Sequence, residues 1–232
     1  MSEKSSTFAS SNKKNNKDMG QYYKPTIQAI KYDENRKQVR KHFAIYTHDL
    51  NYGLKLCENS DRNSEVVRLV TNLMYELNQQ GWVTQLVWLG DYANPSFGQD
   101  TDLYSSLKHT NVTFRKENGV IVSAMLEGFD GVIDMTQDHH YLVNHDRNEY
   151  INTAENVGAY SQLALLTADG NGKGGGDYWG ASWRDVGLWR YHEISVMDKQ
   201  ELDEFLKEKS KYDHYHPHYK WVKGDYHFDE IY

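Results

Sequence analysis

The strongest constraint on how this chain folds is the segment from 64 to 81, SEVVRLVTNLMYELNQQG, in which Val66, Val67, Val70, Leu73, Met74 and Leu77 recur at helical spacing. Asn63 or Ser64 supplies an N-cap before it, and Gly81 a stop after it. It is flanked by HFAIYTHD at 42–49 and WVTQLVWLGDY at 82–92, two apolar and aromatic runs of strand length. Strand, helix, strand is a βαβ unit, whose strands normally lie side by side and parallel across a right-handed crossover. The pattern predicts an α/β fold, a Rossmann-like and mostly parallel sheet with flanking helices.

Further along, NVTFRKENGVIVSAML predicts an inserted β-hairpin turning at Glu117-Asn118-Gly119, because Asn-Gly supplies the positive φ of a tight turn. FDGVIDM at 129–135, QLALLTAD at 162–169 and GLWRYHEISVM at 187–197 read as strands, and 147–160 as a helix. In DKQELDEFLKEK, Asp198 and Glu201 form a capping box ahead of Leu202, Phe205 and Leu206, which predicts a last helix. Residues 1–20 are Ser, Asn and Lys with almost no apolar partner, a composition expected to stay disordered. The expected organisation is that arm, a single α/β domain over 21–211, and an aromatic, His-rich C-terminal docking arm over 212–232.

Charge and cysteine content narrow the function classes. With 26 basic against 33 acidic residues, the net charge of -7 gives no whole-protein field to collect nucleic acid or anionic membrane. Cys57 stands alone, so no internal disulfide exists, which fits a reducing cytoplasmic setting. No window approaches the ~18 apolar residues of a membrane helix. The abundance of Asn, Lys and Tyr, whose codons are A/T-rich, fits an A/T-rich bacterial or phage genome.

Ligands of open parallel sheets bind beyond the carboxyl ends of the strands. The residues just past the expected strands are Thr47-His48-Asp49, Gly90-Asp91, Asp134 with Asp138-His139-His140, and Thr167-Ala168-Asp169. Crowded carboxylates repel unless protonated or bridged by a cation, so Asp49, Asp91, His139 and His145 are the expected ligands of a divalent Mn, Zn or Mg ion. Asp49, Asp91 and Asp169 are the expected catalytic carboxylates. The loop Gly170 to Gly176 with Lys173 suits an anion, and Tyr178, Trp179 and Arg184 offer flat and guanidinium surfaces for a base or sugar. His214, His216 and His218 alternate, which would put their imidazoles on one side of an extended segment, although Pro217 interrupts strand pairing.

His48-Asp49, Gly90-Asp91, Asn144-His145-Asp146 and His216-Pro217-His218 occur in an order that faintly resembles the metallophosphoesterase superfamily, whose blocks are Asp-x-His, Gly-Asp, Gly-Asn-His-Asp/Glu and Gly-His-x-His. The chain lacks the first spacing and the glycines before Asn144 and His216, so these residues assign no family. The functional expectation is a metal-dependent hydrolase-like protein acting on or binding a phosphorylated or nucleotide-like small molecule. Two alternatives share the same residues: a non-catalytic interaction protein, for instance a phage or host-interaction factor engaging a protein partner through 212–232, and a carbohydrate-processing enzyme using paired carboxylates.

Overall fold

The computed structural model describes residues 21–93, 103–156, 158–170, 178, 184–211, 220–226 and 228. The predicted N-terminal arm, the glycine loop with Lys173, Trp179 and the His214–His218 alternation lie outside the described residues.

The parallel sheet expected from the βαβ pattern is not what forms. The strand β1 (Tyr23–Tyr32) folds back onto β2 (Gln38–Ala44) through a turn in which Asp33 accepts from the Asn35 and Lys37 amides. The helix α2 (Glu65–Gln79), preceded by the single turn α1 (Leu56–Asn59), then leads to β3 (Val83–Gly90). This strand pairs with the far side of β1, from Tyr23↔Gly90 to Ile30↔Val83, antiparallel. Because β1 is antiparallel to both neighbours, β2 and β3 do run in the same direction, but with β1 between them. The crossover therefore skips a strand. A two-residue strand β9 (Ala168–Asp169) completes the order β2-β1-β3-β9 and is parallel to β3.

Pro25 sits within β1, where a missing N–H would ordinarily break a central ladder. The Pro25 carbonyl faces β2 and accepts from the Ile45 amide at 2.9 Å, one residue beyond the end of that strand. Its absent donor is thus aimed where β2 has already stopped, and no strand-to-strand bond is lost.

The rest of the chain makes two more small sheets. After the turn α3 (Leu103–Ser106), β4 (Val112–Glu117) and β5 (Val120–Leu126) form the predicted hairpin, with Asn118 at φ 50° and Gly119 at φ 83°. Only Ile133–Asp134 of FDGVIDM pairs, as β6 on the outer side of β5. The third sheet has the order β10-β7-β8-β11, built from β7 (Tyr141–Asn144), β8 (Glu149–Asn152), β10 (Ile194–Met197) and β11 (Val222–Lys223). The helix expected at 147–160 is instead β8 and a 3-10 turn, and the strand expected at 162–169 is mostly the helix α4 (Gln162–Leu166), capped by Ser161. The capping-box helix forms as predicted, α5 (Lys199–Ser210).

One apolar cluster joins these parts: Leu69, Leu73 and Leu77 of α2 meet Ile27 and Leu86 of the first sheet, Ile133 of the second, and Leu142 and Ile194 of the third. Each such side chain, fully buried, contributes roughly 1.5–3 kcal/mol. Thr84 of β3 donates to the Ile194 carbonyl at 2.5 Å, which ties the first sheet to the third. No helix among the described residues is long and apolar enough to cross a membrane.

Candidate functional site

The helix α2 is amphipathic, and its side away from the first sheet carries Arg68, Asn72, Tyr75 and Gln79 at i, i+4, i+7 and i+11, one continuous polar stripe. The first three reach the connection between β6 and β7, and the fourth reaches α5. Arg68 Nε lies 3.6 Å from Asp138 Oδ1. Asn72 Nδ2 donates to the carbonyls of Asp134 at 2.6 Å and Gln137 at 3.1 Å, which fastens the β6–β7 connection to the helix. Tyr75 stacks on His139, ring centroids 3.7 Å apart and planes 15° from parallel. Gln79 donates to Glu201 of α5 at 2.7 Å.

The N-terminus of α2 is fixed from the other side. Its cap Ser64 accepts from Val67 N, and the preceding residues bridge to 159–161, with Arg62 N donating to Ala159 O at 3.0 Å and Ser161 N to Ser60 O at 2.8 Å. Arg62 also donates to the Asn156 carbonyl. These ties enclose a cleft of ≈340 Å³ bounded by the first turns of α2, the start of α4, and the neighbouring ends of β7 and β8. Such a volume is at the small end of ligand sites.

Among the described residues the lining is polar and carries two arginines, Arg62 and Arg68, against one carboxylate, Asp138, in a chain of net charge -7. Two of its amides are almost wholly buried, Asn72 at 2% and Gln162 at 7% exposure. Both have their NH₂ groups engaged, that of Gln162 with Tyr226 O at 2.8 Å, while Asn72 Oδ1 and Gln162 Oε1, both sealed from solvent, have no hydrogen-bond donor among the described residues. A buried acceptor left in that condition costs about 1–3 kcal/mol. Gln162 and Asn156 also line an adjoining cleft of ≈260 Å³ beside Lys223 and Tyr226.

His139 lines the first cleft with its orientation set on two sides. Its ring lies on Tyr75, and Nδ1 is 2.8 Å from Oδ1 of Asp198, the N-cap of α5. Around this pair, burial and then the charges of Glu201 and Asp198 push the Tyr75 phenol up to about 12. The sign follows from linkage: with its folded pKa raised above the ordinary 10, Tyr75 contributes stability that is complete below pH 10 and is lost as the pH rises towards 12. Tyr75→Phe should therefore remove part of the alkaline decline in unfolding free energy across that window. Urea melts at successive pH values measure it, and equal declines in both proteins would refute the assignment.

No family model, curated protein or solved structure matches the chain.

The residues expected from sequence are distributed as follows. Because β2, β3 and β9 run the same way, Asp91 and Asp169 do lie on one sheet edge, and Asp49 follows in the 3-10 turn Thr47–Leu50. Asp91 Oδ1 accepts from the Tyr22 amide at 3.1 Å, and Asp169 Oδ2 accepts from the Tyr191 hydroxyl at 2.7 Å, with Arg190 Nε 3.8 Å from its other oxygen. Tyr178 donates to Gly170 O at 2.7 Å, and Arg184 is exposed.

His139 and His145 flank β7 with five residues between them, four of them the strand itself. At ~3.3 Å per residue that separation is far beyond two ligands of one ion, which sit ~2 Å from it. His145 Nε2 meets Ser195 Oγ at 2.8 Å between the edges of Phe205 and Trp221, and burial with the Lys209 charge pushes its pKa down. Among the described residues, no three His, Cys, Asp or Glu side chains gather closely enough to hold a metal ion.

The cleft thus takes only His139 from the expected set. Arg62, Arg68, Asn72, Gln162 and Asp198 lie outside the set that the sequence pattern points to. The stripe at 68, 72, 75 and 79 was the available signal, since those positions are bound neither to the apolar face nor to i,i+4 charge pairs.

Proposed function

We propose that this chain binds a small phosphorylated molecule, of the sugar-phosphate or mononucleotide class, in the cleft at the N-terminus of α2. The observation that carries this reading is the pair of arginines, Arg62 and Arg68, that line the cleft against a single carboxylate, Asp138, among the described residues. Guanidinium groups match phosphate oxygens, and the first turn of a fifteen-residue helix adds its positive end.

The test is calorimetric titration with AMP, ribose 5-phosphate and their unphosphorylated counterparts, repeated with added Mg²⁺ and Mn²⁺ so that a metal-assisted site is separated from a metal-free one. The phosphorylated forms should bind more tightly. Arg68 is half-exposed and its contact with Asp138 is long, so Arg68→Gln should leave the melting temperature nearly unchanged. Loss of one charge-assisted contact should weaken AMP roughly 10- to 100-fold. Equal affinity of phosphorylated and unphosphorylated ligands, or no effect of Arg68→Gln, would end this reading.

A further inference from the structure

The wall of the cleft also carries a histidine, His139, held on two sides. Its side chain is 8% exposed yet lines the cleft, its ring rests on Tyr75, and Nδ1 faces the Asp198 carboxylate at 2.8 Å. A carboxylate at Nδ1 keeps the proton of the neutral ring on that nitrogen, which leaves the lone pair on Nε2. Nε2 has no hydrogen-bond partner among the described residues. The Asp198 carboxylate is itself held, at Oδ2 by the Tyr75 hydroxyl and through its place as N-cap of α5. A base, a carboxylate that orients it and a fixed ring beside an anion-binding cleft make the arrangement that general-base hydrolysis requires.

We propose that the cleft is catalytic, and that His139 is the general base of a phosphoester hydrolysis in which Asp198 is the positioning residue. This rests on the phosphate-binding reading of the same cleft. Nε2 takes a proton from water as the water oxygen forms a bond to phosphorus. The ester P–O bond breaks on the opposite side of phosphorus, the leaving oxygen takes a proton from solvent and Nε2 gives its proton to solvent, so that ester and water become alcohol and phosphate and the imidazole is regenerated. Asp198 keeps the Nδ1 proton in place throughout and is not itself protonated. Arg62 and Arg68 carry the charge of the phosphoryl oxygens.

Two substitutions separate chemistry from architecture. His139→Asn keeps an N–H donor near the place of Nδ1 for Asp198 but has no group in place of Nε2. Asp198→Asn keeps the helix cap, because Asn caps as well as Asp, and removes the carboxylate. The full-length protein is assayed with p-nitrophenyl phosphate and bis(p-nitrophenyl) phosphate, while AMP binding and thermal unfolding are followed in parallel. His139→Asn should lower turnover of the accepted ester by about 10²- to 10⁴-fold with AMP binding retained and the melting temperature lowered only by loss of the ring contact with Tyr75. Asp198→Asn should lower kcat with KM unchanged, which loss of a merely structural tie would not do.

If AMP binds but neither ester is turned over, or His139→Asn turns over at the wild-type rate, the catalytic proposal is overturned and the binding reading stands. If AMP fails to bind, both fall.

Discussion

Replacing Trp88 with Ala is expected to remove about 3–5 kcal/mol of stability, a large share of the ~5–15 kcal/mol that holds a domain folded. Trp88 is wholly buried in β3, flanked by Pro25 of β1 and Ala168 of β9, so the cavity would open at the middle of the first sheet. Its indole N–H also donates at 2.8 Å to Asn59 Oδ1, and the amide of Asn59 reaches back to the carbonyls of Tyr23, Gly53 and Leu54. Trp88 therefore anchors the loop over the sheet edge as well as filling the core. Should the Ala variant fail to fold, Trp88→Phe isolates the polar part: most of the apolar volume stays, Asn59 Oδ1 loses its donor, and about 1–3 kcal/mol should go. Urea midpoints measure both. A loss under 1 kcal/mol in Trp88→Phe would mean that the Asn59 contact adds nothing.

What the sequence disclosed was whatever is decided locally. Ser64 caps α2, Asn118-Gly119 turns the hairpin with both residues at positive φ, and Asp198 with Glu201 starts α5, each as the residues predict. Strand order is not local. The segment Tyr23–Tyr32 holds a proline and two lysines, and nothing in its own composition says that it will insert between two strands that a helix connects. Its claim to that place comes from the short turn at Asp33–Lys37, which makes it the hairpin partner of β2 and leaves its other edge open to β3. QLALL is short and apolar, a pattern that fits strand and helix equally. Ser161, which accepts from Ala164 N, decides for the helix. The cleft was harder to see for a related reason. Its residues are drawn from the two sides of a bridge between 60–62 and 159–161, a pairing across roughly a hundred positions that no motif spans.

Glu149→Ala should cost about 2–4 kcal/mol, since one carboxylate satisfies several donors that would be left buried or half-buried without it. Its Oε2 accepts from Arg147 Nε at 2.9 Å, from the Tyr226 hydroxyl at 2.5 Å and from the fully buried Trp189 at 3.3 Å, and Oε1 accepts from Arg147 Nη2 at 3.2 Å. Burial alone would raise the carboxyl pKa, but the hydrogen bonds from Arg147 and Tyr226 together outweigh it, and the pKa is held below the usual value of 4.5. A depressed carboxyl stabilises the fold above its unfolded pKa and ceases to do so as the pH falls through its folded one. The wild type should accordingly lose stability on acidification below 4.5, and Glu149→Gln should lose less of it over the same range. The substitution also reports on how the C-terminal segment is attached. Tyr226 belongs to the stretch whose Val222 and Gly224 amides donate to Asn148 O and Tyr150 O, so weakening Glu149 should release those bonds before the core opens. Hydrogen exchange of the Val222 and Gly224 amides that speeds up in Glu149→Gln while α2 amides stay protected would show that Glu149 holds that stretch to the third sheet. Uniform acceleration across both would show instead that the carboxylate supports the whole core.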